Sequence, residues 1–143
     1  ANSTEFNELT KYPVIGLVTE WKDSSGKTEH RSANSNLGGT MRLGGQECLI
    51  KKSSLSHKLY KKTKVTERHR HRYEVNPAFK EDLIRGGMDI VGTSLDGKLA
   101  EMVEIKKHPW FLGCQFHPEF TSNPRDGHPI FNDFIAKAIK IKR

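Results

Sequence analysis

The segment Cys114-Gln115-Phe116-His117-Pro118-Glu119 holds the residue types that polar chemistry needs. On an extended backbone alternate side chains share a face. Gln115, His117 and Glu119 therefore point one way, and Cys114 and Phe116 the other. Pro118 disfavours helical backbone at His117 and keeps it extended. A carboxylate two residues on can accept the proton of one imidazole nitrogen, leaving the other nitrogen as a base. That is two thirds of a nucleophilic triad. The same spacing also describes a histidine at a strand end beside a surface glutamate. Cys114, on the opposite face, is badly placed to be activated by His117 or to share a metal with it.

A second cluster is Glu67-Arg68-His69-Arg70-His71-Arg72-Tyr73-Glu74. If extended, Arg68, Arg70 and Arg72 line one face, and His69 and His71 the other. Arginines so aligned can hold a carboxylate or phosphate through paired hydrogen bonds. Two histidines at i, i+2 could contribute to a metal site, but no cysteine or carboxylate cluster stands at ligand spacing. A solvated edge strand, its charges paired to Glu67 and Glu74, also fits. A third stretch, Asn36 to Gly45, is rich in glycine but matches neither a P-loop nor a dinucleotide fingerprint. Its glycines suit turns and hinges.

Short elements must position these groups. Tyr12 to Val18 reads as a buried segment, and 22–40 as a long loop with a turn at Asp23-Ser24-Ser25-Gly26. Thr40 to Ile50 reads as a strand pair or a bulged strand around Gly44-Gly45. Leu55 to Tyr60 looks helical. Asn76-Pro77 can cap and open a helix that Gly86-Gly87 ends. Asp96-Gly97 marks a hairpin, and Trp110 to Phe116 a strand. Pro129 opens a last helix, in which Ile130, Phe131, Phe134, Ile135, Ala138 and Ile139 follow the 3.6-residue period. The order of elements is mixed α and β, with helices expected near 77–86 and 129–141.

Composition bounds the reading. The chain has 143 residues, 34% of them apolar and 29% charged, with a formal charge of +7. One domain with a modest core is expected. No run of 18 apolar residues is present, which predicts no membrane association, and no basic start precedes an apolar stretch as a secretory signal requires. Cys48 and Cys114 are too few for a disulfide scaffold and read as reduced thiols. The charge invites a nucleic-acid partner, with a steep salt dependence as its test. Aromatic residues are not interleaved with the basic ones apart from Tyr60 and Tyr73, so no nucleic-acid partner is expected.

Taken together, these motifs resemble the class I glutamine amidotransferases, and within them the glutaminase domain of the CTP synthases. The resemblance covers essentially the whole chain. It rests on Ala1 to Phe6, Leu37 to Gly44, Glu67 to Asn76, His108-Pro109-Trp110-Phe111, Cys114 to Phe120 and Pro124 to Pro129. The His-Pro-Glu element alone would mark only the wider family. The Arg-His-Arg-His-Arg-Tyr-Glu-Val-Asn and Gly-Gly-Thr-Met-Arg-Leu-Gly segments are more specific.

The resemblance implies an α/β fold, a mainly parallel sheet flanked by helices. Residues 1–143 would be an incomplete, strand-rich C-terminal portion of it. It implies that His117 is the triad base, Glu119 its orienting partner, Glu5 a contact to the ammonium end of glutamine and Arg72 a contact to its α-carboxylate. Cys114 matches a non-catalytic position. The loop from Glu29 to Arg42 is the candidate lid. The intact enzyme would hydrolyse glutamine and use the ammonia for ATP-dependent amination of UTP to CTP. It would take ATP and Mg²⁺ with GTP as activator, and act as a cytoplasmic homotetramer. The family's Gly-x-Cys-x-Gly elbow does not occur in these residues, and Cys48 has no such surroundings. The upstream part of the same enzyme, bearing the elbow and the synthase domain, is therefore the expected partner. The 143 residues alone are expected to be inactive. A stand-alone, non-catalytic binding or regulatory domain is the alternative.

Overall fold

The computed structural model describes residues 1–17, 20–22, 28–30 and 41–141. Its largest sheet is built around β5 (Arg42–Ile50). That strand runs antiparallel to β6 (Lys64–His71), with Arg42 opposite His71 and Cys48 opposite Val65. Between them lies α1 (Leu55–Tyr60). Its N-terminus is capped by the Ser54 hydroxyl, which accepts from His57 N–H, and its C-terminus by Lys61 in the left-handed region at φ 54°. The Glu104 carboxylate also accepts from the N–H groups of Leu55 and Ser56, at 3.0 and 2.7 Å. Negative charge at a helix N-terminus is favourable, and here it ties α1 to a distant strand.

On its other side β5 pairs with β8 (Asp89–Ser94), which turns back into β9 (Ala100–Glu104). Gly97 occupies the turn at φ +74°, a conformation that costs glycine nothing. The edge strand β10 (Leu112–Cys114) pairs with β9 and completes the order β10-β9-β8-β5-β6. A three-stranded sheet holds β1 (Asn2–Ser3), β2 (Pro13–Leu17) and β7 (Tyr73–Val75), in the order β1-β2-β7. A separate pair joins β3 (Glu20–Lys22) to β4 (Thr28–His30).

The chain has the expected strand-rich α/β character. Among the described strands only β1 and β2 run parallel; every other pair is antiparallel. The short links from β8 to β9 and from β9 to β10 suit antiparallel neighbours. The glycine-bearing segment is one strand, not a pair. Its register with β6 runs unbroken through Gly44 and Gly45, so no bulge forms there.

The helix expected near 77–86 begins as a 3₁₀ turn (Pro77–Phe79), capped by Asn76, and continues as α2 (Lys80–Arg85). The last helix is α3 (Pro129–Ile141). The turn at 23–26, the glycines Gly38 and Gly39, and most of the candidate lid lie outside the described residues.

Cys48, Ile50, Val91, Met102, Phe116 and Ile130 form the core, flanked by Leu59, Tyr60, Val65, Trp110, Leu112 and Cys114. Helices α1 and α3 meet over it. The periodic face of α3 is only partly used. Ile130 is buried and Phe134 packs on Trp110, with ring centroids 5.0 Å apart, yet Ile135 and Ile139 stay about half exposed. No described helix is long and apolar enough to cross a membrane.

Candidate functional site

β10 ends at Cys114, short of the strand expected through Phe116; the chain bends at Gln115 and Phe116 and, after His117, closes a 3₁₀ turn (Pro118–Phe120). Pro118 suits the first position of such a turn, because its missing N–H would find no partner there. The turn carries Glu119 back beside His117, and His117 Nδ1 lies 2.8 Å from Glu119 Oε1. A carboxylate can only accept, so Nδ1 carries the proton and Nε2 holds a lone pair. Nε2 makes no hydrogen bond among the described residues. The imidazole is about two-fifths exposed (38%), and the Phe120 ring stacks on it at 5.3 Å. The hydrogen bond from His117 holds the Glu119 carboxyl below the ordinary glutamate range. The pair thus has a base's geometry: an oriented ring with one open nitrogen.

Strand β6 alternates as expected. Arg68 and Arg70 are exposed; Glu67, His69 and, in part, His71 face inward. It is the edge strand of its sheet, as a solvated edge strand would be. Glu67 accepts from Tyr60 Oη, His128 Nε2 and Thr121 Oγ1 at 2.8, 2.9 and 2.8 Å. Glu74 and Glu101 both take Arg42, at 2.7 and 2.8 Å, with all three side chains at most 2% exposed.

Burial alone would lower the Arg42 pKa; the two carboxylates outweigh it and raise it. Burial pushes the Glu101 carboxyl up by more than Arg42 pulls it down. His69 Nδ1 and His71 Nε2 share a hydrogen bond of 2.8 Å. Burial, helped by the charge of Arg42, drives the His69 pKa down to about 3, so this ring is neutral at physiological pH. Neutral, buried and hydrogen-bonded to its half-buried neighbour His71, His69 is part of the packing.

Arg72 sits where the chain steps from one sheet to the other, between β6 and β7. It lines a cleft of about 440 Å³ together with Glu5, Ile15, Met41, Arg70, His71, Tyr73 and Gln115. Glu5 is delivered there by the turn after β1, its N–H donating to Ser3 Oγ at 3.1 Å. The expected ammonium and carboxylate contacts, 67 positions apart in sequence, thus share one cavity. His117 does not line it. A neighbouring cleft of about 450 Å³ shares the walls Met41 and Arg70 and reaches Phe120, the residue stacked on His117.

Sequence reasoning missed Met41 and Tyr73 as cleft walls. Strict alternation would place Gln115 on the face of His117, but the backbone bends at 115 and 116; Gln115 lines the cleft and its Nε2 donates to Tyr73 O at 3.0 Å. Neither cysteine is a nucleophile here. Burial pushes both thiols up to about 12. Cys114 turns its thiol back toward Phe116 O.

Comparison with known proteins bears on the family. The model of the glutamine amidotransferase class-I family matches residues 15–137. The structure is similar to the glutaminase domain with bound acivicin of Trypanosoma brucei CTPS, with a TM-score of 0.80 and 37% identity over 97% of this chain. The chain spans about half (50%) of the length of that relative. An oriented histidine–glutamate pair, a cleft with opposed charges, and a family match over most of the residues converge: this chain belongs to the class I glutamine amidotransferases.

Proposed function

We propose that this chain supplies the histidine–glutamate half of a Cys-His-Glu triad, together with part of the glutamine pocket. The observation that carries the proposal is the 2.8 Å contact between His117 Nδ1 and Glu119 Oε1, which leaves Nε2 open to solvent. Glu5 and Arg72, on the walls of one cleft, are the contacts for the ammonium and carboxylate of the substrate.

In this reading the cysteine lies outside residues 1–143, which form the C-terminal portion of the amidotransferase domain. Its thiolate adds to the side-chain amide carbon of glutamine while His117 holds the thiol proton at Nε2. That proton passes to the leaving nitrogen, and ammonia departs. Water then adds to the thioester, giving its proton to Nε2; the thiol is reformed and glutamate released. Glu119 keeps the ring in the Nδ1–H tautomer and stabilises the imidazolium.

The similarity to the CTPS glutaminase domain supports a further step. The ammonia would pass to a synthase domain that aminates UTP to CTP with ATP, making the intact protein a ligase of pyrimidine biosynthesis. ATP, Mg²⁺ and the activator GTP belong to the remainder of that enzyme, a cytoplasmic homotetramer in this proposal. Among the described residues no group of three or more His, Cys, Asp or Glu could hold a metal ion.

Calorimetry with glutamine tests the pocket. Arg72→Ala and Glu5→Gln in the full chain should each weaken binding by about tenfold, as expected for losing one charged contact. Unchanged affinity in both would contradict the assignment. The 143 residues alone should release no glutamate; turnover by them, abolished in His117→Ala, would refute the need for an outside cysteine.

A further inference from the structure

The turn that carries His117 and Glu119 is fastened to β6 at both ends. At its start, His117 N–H donates to Arg68 O at 2.8 Å. At its finish, the Thr121 hydroxyl donates to Glu67 Oε2 at 2.8 Å. Glu67 and Arg68 are neighbours, so one short stretch of strand grips the whole turn.

Glu67 is itself fixed. It is 3% exposed, and its other oxygen accepts from Tyr60 Oη and from His128 Nε2, at 2.8 and 2.9 Å. His128 is likewise buried, and its Nδ1 accepts from Ile130 N–H at 3.3 Å. That bond sets its tautomer, with the proton on Nε2 facing Glu67. Burial and the hydrogen bond to Glu67 push the Tyr60 hydroxyl well above its ordinary range, so it remains a donor. The carboxylate is thus held from α1 and from the start of α3, and it presents its free oxygen to the turn.

We propose that Glu67 and Thr121 are positioning residues for the His117–Glu119 pair. Neither touches a reacting atom in the mechanism above. They fix the 3₁₀ turn so that Glu119 stays within hydrogen-bond range of His117 Nδ1. The inference rests on the reading of His117 as the triad base.

Thr121→Val in the full chain is the direct test. It removes the hydroxyl, keeps the shape, and alters a side chain at the rim of the cluster, leaving Tyr60 and His128 paired to Glu67. A base that wanders from its partner loses part of the factor that oriented proton transfer contributes, so kcat for glutamate release should fall about tenfold. KM for glutamine should stay within about twofold, and Thr121→Ser should restore kcat to within about twofold of the parent. Nitrogen-15 shifts of the His117 ring should show a smaller share of the Nδ1–H tautomer in the valine variant.

A valine variant with parental kcat and unchanged ring shifts overturns the inference, as does a serine variant that restores nothing. His117→Ala separates the two layers. If it hydrolyses glutamine at the parental rate, the triad reading fails. If it is inactive while Thr121→Val is unaffected, only the positioning role fails.

Discussion

Replacing Arg42 with methionine should unfold this chain more readily at neutral pH than at acid pH. Arg42 is 3% exposed and spans Glu74 and Glu101, themselves 2% and 1% exposed. Its two contacts, at 2.7 and 2.8 Å, supply the charge that offsets two desolvated carboxylates. Removing one partner of a buried ion pair costs about 3–5 kcal/mol, because the other charge stays in the interior. Two such carboxylates put the loss toward the upper end of that range.

A proton offers a way out. Burial already raises the Glu101 carboxyl, and without Arg42 it rises further. A group whose folded pKa exceeds its unfolded value contributes stability that is complete below the unfolded pKa. That stability is lost as pH rises through the folded pKa. The deficit of Arg42→Met should therefore be small near pH 4, around the unfolded glutamate value of about 4.3, and grow toward pH 7. Urea unfolding of parent and variant across this range measures it. Adding Glu74→Gln and Glu101→Gln should flatten the pH dependence. A variant as stable as the parent at pH 7, or a deficit independent of pH, would refute the reasoning.

Other outcomes follow from the same structure. A Cβ at Gly92 would lie 2.6 Å from Met102 Cγ and 3.0 Å from Cys48 Sγ, so Gly92→Ala should cost about 1–3 kcal/mol in urea unfolding. Both thiols, raised to about 12 by burial, should resist iodoacetamide at pH 8 in the folded protein and react once it is denatured. The Glu119 carboxyl should titrate below the ordinary glutamate range by carbon-13 NMR. Its folded pKa is depressed, so its bond with His117 is present above the ordinary glutamate pKa and lost as pH falls through the depressed value. In His117→Ala the titration should return to the ordinary range.

Local chemistry was legible in the sequence. Asn76 and Pro77 opened a helical stretch because a side-chain cap and a fixed φ act within three residues. Asp96-Gly97 turned because glycine takes a positive φ freely. Alternation along β6 sorted Arg68 and Arg70 from His69, and the His117–Glu119 contact spans only two residues.

What stayed hidden was non-local. Nothing near Arg42 signals that its partners stand 32 and 59 residues away, nor that Glu67 meets His128 across 61. The cap that Glu104 places on α1, 48 residues off, is equally silent. Periodicity predicted an apolar face on α3 and found one, but period alone does not say what covers it; much of that face stays exposed among the described residues.

Glutamate release by the full chain, parent against His117→Ala, tests the central claim most directly. With His117 as the triad base, the substitution should lower kcat by at least about a thousandfold and leave glutamine binding near the parental value. Turnover within about tenfold of the parent would contradict the assignment, whatever the geometry of the pair.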